Sequence, residues 1–186
     1  YNGYYQPERS AFPLYSNLVT AKLEADTLFI EPGRFAAHVI RKTASTRPDF
    51  ARNFHSNTFF FSPPLRRSDK IFEVPFITSD SLLIALLQDT LRRPVKMINQ
   101  ALHQETSTFF NTPADSVYKV MMQESDNFLA EQLLMQSSAL ISDTLAAEPA
   151  IRLMQQSYLS DLPDKLIWVD GSGLSRYNLF TPRSVV

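Results

Sequence analysis

The hydrophobic pattern of the first third of the chain indicates β structure. Four short runs rich in β-branched and aromatic residues are bounded by turn-forming residues, which is typical of strands: 14–23, 27–30, 58–61 and 70–77. Glu24-Ala25-Asp26 is predicted to turn between the first two runs, and Glu31-Pro32-Gly33 to end the second. We assign the three consecutive phenylalanines of the third run to the core.

Two segments of this region lack a strand pattern. Residues 35–40 are compatible with a helix or a strand, and the pattern does not decide between them. Residues 43–57 contain few aliphatic side chains and are predicted to form a surface excursion.

A short helix is predicted after these strands. Ser79 is its expected N-cap, and its apolar face is formed by Leu82, Leu83, Leu86, Leu87 and Leu91. The helix should end before Pro94, and residues 95–98 are predicted to return as a strand. Strand, helix and strand in this order suggest a small α/β packing unit.

From Thr112 onward the pattern changes to helix. Thr112 is the expected N-cap and Pro113 the first helical residue of a helix whose buried face is Val117, Val120 and Met121. A second helix is predicted from leucine and isoleucine at positions 129, 133, 140, 141 and 145, and a third from Pro149. Residues 166–169 are expected to be a buried strand. The boundary near residues 103–112 predicts a β-rich region, 1–110, and a helical region, 111–186, hence an α+β fold.

Composition excludes several classes of protein. The 186 residues are 44% hydrophobic and 20% charged, with a net charge of −1, which excludes a disordered chain and leaves no basic excess for nucleic acid. The longest aliphatic run, residues 82–87, is too short to span a bilayer, and we expect no secretory signal at the front. The chain has no cysteine, which excludes disulfides and cysteine nucleophiles. His38, His55 and His103 lack the spacing of a metal site, so we expect them to be surface or structural residues.

Glycine is scarce, and its distribution is informative. The chain has four glycines, where average usage of ~7% would place roughly thirteen. Two of them, Gly171 and Gly173, share the tetrapeptide Asp170-Gly171-Ser172-Gly173. We therefore expect the backbone at this point to need a positive φ or a close approach.

Ser125-Asp126-Asn127 is the first candidate for chemistry. In a short extended link Ser125 and Asn127 would point to the same side, and Asp126 would cap the following helix. A hydroxyl beside a carboxamide can pass a proton and bind an amide, as acyl-transfer sites require. The alternative is a polar helix cap with two solvated neighbours, and the tripeptide alone favours that alternative.

The second candidate is the segment from Asp170 to Asn178. A glycine loop between a strand and a helix start can present backbone amides and Arg176 to an anionic group. It matches neither a nucleophile elbow nor an EF-hand loop. The alternative is a tight turn in which Arg176 is solvated or pairs with Asp170.

Together these segments resemble the penicillin-binding protein 4 family, the serine D-alanyl-D-alanine carboxypeptidases and endopeptidases of peptidase family S13. The resemblance is carried by two blocks in the order that the family has, Ser125-Asp126-Asn127-Phe128-Leu129-Ala130-Glu131-Gln132-Leu133-Leu134 and Asp170-Gly171-Ser172-Gly173-Leu174-Ser175-Arg176-Tyr177-Asn178. It covers roughly residues 113–182 specifically, and residues 76–98 more loosely.

The resemblance implies a fold and an activity, and it implies no metal or organic cofactor. Residues 111–186 would be the helical part of a penicillin-binding, β-lactamase-like catalytic domain, and residues 1–110 a β-rich inserted accessory region. The parent would be a periplasmic or otherwise extracytoplasmic serine enzyme that acts on D-Ala-D-Ala stem peptides of peptidoglycan and is inhibited by β-lactams. Ser125 and Asn127 would be catalytic and Arg176 would bind substrate. Asp126, Asp170, Gly171, Ser172 and Gly173 would support the site.

Two further motifs of the family are expected outside these residues. Ser116-Val117-Tyr118-Lys119 matches Ser-x-x-Lys, and Lys42-Thr43-Ala44 approaches Lys-Thr-Gly, but neither stands in the family's order. We interpret both as chance matches and expect the true motifs before residue 1 and after residue 186. The chain alone would then be inactive. The alternative function is a non-catalytic relative that binds peptidoglycan or a protein. Oligomeric state and the choice between carboxypeptidase and endopeptidase action stay open.

Overall fold

The computed structural model describes residue 3, residues 6–100 and residues 111–185, which divide into two compact units within residues 1–108 and 109–186. In its described residues the first unit contains two small sheets and one α-helix, and the second contains three α-helices, so the α+β class is confirmed. His103 and most of the predicted boundary lie outside the described residues. No helix in the described ranges is long and apolar enough to cross a membrane.

The first sheet has the antiparallel order β2-β1-β6. Its central strand β1 (Leu18–Glu24) pairs with β2 (Thr27–Glu31) across the predicted turn, and with β6 (Lys70–Pro75) on its other edge. Alternate side chains of β1 are fully buried, whereas those between them are more exposed, as the period of two requires.

The second sheet has the order β3-β5-β4. Strand β3 (Val39–Arg41) runs parallel to β5 (Phe59–Ser62), and β4 (Asp49–Arg52) runs antiparallel to it. The undecided segment 35–40 contains both alternatives, because a 3-10 helix over Gly33–His38 leads directly into β3.

Phenylalanine dominates the core of this unit. Phe59 and Phe61 are buried while Phe60 between them is not, so the expected core role holds for alternate members of the triplet. The ring of Phe59 stacks on Phe50 at 5.3 Å and meets Phe35 edge-on at 5.6 Å.

Strand β4 contradicts the predicted surface excursion over residues 43–57. Phe50 is buried on it, and so is Arg52, which is 7% exposed. Arg52 Nε donates to the carbonyl of Pro75 at 2.7 Å and Nη1 to that of Asn53 at 2.6 Å, while burial lowers the pKa of its guanidinium from the usual value. A segment with few aliphatic side chains thus joins the core through an aromatic ring and a hydrogen-bonded cation.

Helix α1 (Asp80–Leu91) begins where predicted, and Ser79 Oγ accepts a hydrogen bond from the amide of Leu82 at 3.2 Å. The strand predicted over residues 95–98 is wrong, since these residues have no strand partner among the described residues. Leu86 is the buried anchor of the helix, and Leu91 at its end is exposed.

The second unit is built on α2 (Ala114–Gln123), α3 (Asn127–Ala139) and α4 (Glu148–Gln156). Buried positions on α3 follow helical spacing: Phe128, Gln132, Met135 and Ser138. Ser138 Oγ accepts from the amide of Ala150 at 2.9 Å and donates to the carbonyl of Ala147 at 3.3 Å. A buried hydroxyl thereby joins α3 to the start of α4.

Several predicted apolar contacts of this unit are wrong. No residue of α2 is buried, Val120 being 49% exposed, and its N-cap is Pro113 instead of Thr112. Leu140, Ile141 and Leu145 follow the end of α3, and Leu140 is 90% exposed.

Residues 166–169 form no buried strand but a single bridge between Ile167 and Leu179. Near the end of the chain, Pro182–Ser184 form one 3-10 turn with Thr181 as its N-cap.

Candidate active site

Ser125-Asp126-Asn127, called the Ser-x-Asn motif below, lies between the end of α2 and the start of α3. The extended link predicted for it is wrong, because Ser125 has a left-handed φ of +53° and Asn127 is already the first residue of α3. The capping role predicted for Asp126 is confirmed, since its Oδ1 accepts from the amide of Leu129 at 3.0 Å. The alternation of an extended chain therefore does not place Ser125 beside Asn127; the turn and the cap decide their positions.

Ser125 and Asn127 keep their polar groups available. Ser125 is exposed and Asn127 half-buried, and neither side chain makes a hydrogen bond within the described part of the chain. A hydroxyl and a carboxamide held at a capped helix start, with unused donors and acceptors, are suited to bind an external polar group.

The loop after Val169 is organised by Asp170. Its Oδ1 accepts from the amide of Gly173 at 2.8 Å and from Asn178 Nδ2 at 2.7 Å, and its Oδ2 accepts from the amide of Ser175 at 2.7 Å. Asn178 in turn accepts from the amide of Val169 at 2.8 Å. The two ends of the predicted motif are therefore closed on each other by side chains.

A second carboxylate, from α3, binds the front of the same loop. Glu131 Oε1 accepts from the amides of Gly171 at 3.2 Å and Ser172 at 3.1 Å, and from Ser172 Oγ at 2.8 Å. The prediction that this loop presents backbone amides to an external anion is thus wrong for residues 171–173. Glu131 and Asp170 already satisfy those amides from within the protein.

Both glycines meet the requirements expected of them, in different ways. A Cβ on Gly171 would lie 2.6 Å from the carbonyl oxygen of Ala130, so only glycine lets the loop backbone approach α3 this closely. Gly173 has open space around it but a φ of +76°, which L side chains rarely adopt.

Arg176 is the exposed cation of the loop. It makes no hydrogen bond or ion pair with any residue that the structure describes. The alternative in which Arg176 pairs with Asp170 is therefore wrong, because Asp170 is engaged by backbone amides and Asn178. Its guanidinium is left free for a ligand carboxylate.

Glu131 was missed as a site residue, although it lies inside the first motif block. The available signal was its position: Asn127 and Glu131 are four residues apart on α3 and hence share a helix face. It is half-buried and contacts a segment 40 residues further along the chain. Helical spacing gives no indication of that contact.

The two segments that we interpret as chance matches differ in their surroundings. Ser116 and Lys119 are both exposed on α2, and their side chains share no hydrogen bond. Lys42 lies in the first unit, with its ammonium group 4.2 Å from the ring centre of Phe60. Among the residues described, no group of three or more His, Cys, Asp or Glu side chains is arranged to hold a metal ion.

Comparison with known proteins gives one matching family and solved structures of similar fold. The model of the D-Ala-D-Ala carboxypeptidase 3 (S13) family matches residues 87–186, more than half of the chain. No curated protein gives a match.

Two crystal structures of penicillin-binding protein 4 from Haemophilus influenzae are similar in fold. The one complexed with a β-lactam has a TM-score of 0.67 and 21% identity over 97% of this chain. The other has a TM-score of 0.70 and 20% identity over 100% of this chain. The chain spans 47% of the length of each.

Proposed function

Because the chain belongs to the D-Ala-D-Ala carboxypeptidase 3 (S13) family, we propose that it forms part of a serine acyl-transferase that hydrolyses D-Ala-D-Ala stem peptides of peptidoglycan. The observation that carries this proposal is the contact between the two motif blocks: Glu131, on the helix that begins at Asn127, binds the loop that precedes Arg176. Peptidoglycan lies outside the cytoplasm, so the proposed location is the periplasm or another extracytoplasmic compartment.

The proposed reaction has two steps. A serine hydroxyl attacks the carbonyl carbon of the penultimate D-Ala, the C–N bond breaks, and the terminal D-Ala leaves as an amine. Water then attacks the ester and restores the hydroxyl. We place the attacking serine, its lysine base and the Lys-Thr-Gly strand outside residues 1–186.

Residues of this chain would act on the substrate around that centre. The hydroxyl of Ser125 would pass a proton towards the leaving amine, and the carboxamide of Asn127 would hydrogen-bond to the substrate amide. Both side chains have unused hydrogen-bonding capacity in the described part of the chain, as such roles require. Arg176 would bind a carboxylate of the stem peptide.

The function is tested on the full-length protein that contains this sequence. We expect covalent labelling by a fluorescent penicillin and release of D-Ala from a peptide that ends in D-Ala-D-Ala. A folded protein that does neither would contradict the proposal. If it still bound peptidoglycan fragments, the non-catalytic alternative would replace it.

Arg176 provides a test of substrate recognition. Replacing it by alanine in the full-length protein is expected to lower kcat/KM for stem peptides by about 10- to 100-fold, since a charge-assisted hydrogen bond contributes about 1.5–3 kcal/mol. Labelling by a small β-lactam without the recognised carboxylate should change little. The melting temperature should hold, because Arg176 has no partner among the described residues.

The matched control for this experiment is Arg152→Ala, which removes an exposed arginine from α4. It should leave both substrates unaffected. Equal losses on the peptide and the β-lactam in Arg176→Ala would defeat the recognition role.

A further inference from the structure

We propose that Glu131 is a positioning residue. It holds the loop of residues 170–178, which carries Arg176 and is called the Arg176 loop below, in a fixed position against α3. It thereby determines how tightly the site binds its stem peptide. This inference rests on the proposed function, which it deepens by adding a specificity-determining residue. Glu131 touches neither reacting atoms nor substrate in this proposal; it acts through the loop.

Three hydrogen bonds from the loop converge on one oxygen of Glu131. Its Oε1 accepts two backbone amides and one hydroxyl, all from Gly171 and Ser172, at 2.8 to 3.2 Å. A carboxylate is an acceptor only, and its charge strengthens each of these hydrogen bonds relative to a neutral acceptor. One side chain of α3 therefore fixes two consecutive residues of the loop.

The close approach of Gly171 makes this contact rigid. The backbone there lies against the carbonyl of Ala130, so closely that a Cβ would be 2.6 Å from its oxygen. Hydrogen bonds to Glu131 and steric contact with the preceding residue act from the same turn of α3. The loop cannot slide along the helix without breaking one of them.

The same constraint extends to Arg176. Asp170, directly before Gly171, accepts from the amide of Ser175, the residue that precedes Arg176, at 2.7 Å. Arg176 itself has no side-chain partner among the described residues. Its position is therefore set through the backbone of its loop, and Glu131 connects that loop to α3.

The helix completes the connection to the catalytic motif. Asn127 begins α3, Asp126 caps it, and Glu131 follows Asn127 by four residues, which places the two on one face. A substrate held by Asn127 at one end and Arg176 at the other would need this spacing to be constant. A displacement of about 1 Å in such a contact can cost roughly 10²-fold in rate.

The experiment compares Glu131→Gln and Glu131→Ala in the full-length protein. Glutamine keeps the length and one acceptor oxygen, whereas alanine removes the contact. We expect KM for a stem peptide to rise about tenfold in Glu131→Ala and by less in Glu131→Gln. Acylation by a small β-lactam should change by less than about threefold, because that ligand does not need Arg176. Glu148→Gln, an exposed glutamate at the start of α4, is the matched control and should change neither.

A double-mutant cycle separates positioning from general stability. If Glu131 acts through Arg176, adding Glu131→Gln to Arg176→Ala should cause no further loss of peptide turnover. Equal losses on both substrates, or losses that add to those of Arg176→Ala, would overturn the proposal. So would an unchanged KM in both Glu131 variants.

Amide hydrogen exchange distinguishes this proposal from the proposed function. Exchange over residues 171–176 should accelerate in Glu131→Gln and stay unchanged in Glu148→Gln. A wild-type protein that neither binds penicillin covalently nor releases D-Ala would refute the function alone. Unaltered exchange in Glu131→Gln would refute the positioning role whether or not the protein is active.

Discussion

The isolated 186-residue chain is expected to remain unlabelled by a fluorescent penicillin under conditions in which the full-length protein is acylated. The only Ser-x-x-Lys in its sequence, Ser116 to Lys119, is exposed on α2 without a hydrogen bond between the two side chains. A serine needs an adjacent base to become a nucleophile. Removing the nucleophile or its base costs on the order of 10⁶ in rate. We therefore expect no labelling of the isolated chain above background.

This result needs a folded chain as its control. Circular dichroism and a cooperative thermal transition would establish that the isolated chain is folded. A full-length Ser116→Ala variant should be labelled like the wild type. Stable labelling of the isolated chain, abolished by Ser116→Ala, would contradict the prediction and make Ser116 the nucleophile.

Removing either polar side chain of the Ser-x-Asn motif should cost roughly 10² or more in acylation rate of the full-length protein. Ser125→Ala removes the proton relay and Asn127→Ala the amide contact, and each role contributes roughly 10²-fold or more. The free energy of unfolding should change by about 1 kcal/mol or less, because neither side chain makes a described hydrogen bond. Stopped-flow acylation and thermal melting measure the two effects.

The backbone at Ser125 supplies a sharper variant. Its φ of +53° is adopted more easily by glycine, so Ser125→Gly removes the hydroxyl without adding backbone strain. It should lose acylation as Ser125→Ala does. Ser137→Ala, at an exposed position of α3, is the control. Wild-type acylation in both Ser125 variants and in Asn127→Ala would show that the motif is only a helix cap.

Local signals were sufficient for several elements. Ser79 and Asp126 cap their helices through amides only three residues away, and Pro149 lies in the first turn of α4. The two partners of such a contact lie within a few residues of each other, so the local sequence is sufficient to predict it. The turn between β1 and β2 and the positive φ of Gly173 are local in the same sense.

Burial of polar groups was not predictable in this way. Strand β4 was missed because Arg52 is buried only where the carbonyl of Pro75, a distant residue, accepts its hydrogen bond. Conversely, Leu140 follows an apolar pattern, yet the helix ends before it and leaves it in solvent. A hydrophobic pattern indicates which residues favour burial. Where the helices end and which segments pack together determine which of those residues are buried.

The same distinction between local and distant contacts holds for the candidate site. The sequence by itself determined the two motif blocks, the cap at Asp126, the glycine that the positive φ at position 173 favours, and the family. Only the tertiary structure decided that Glu131 binds Gly171 and Ser172, and that Arg176 is free of Asp170. The physical reason is range: a cap or a tight turn is completed within a few residues. The contact of Glu131 depends on the backbone of a loop 40 residues away being brought against α3.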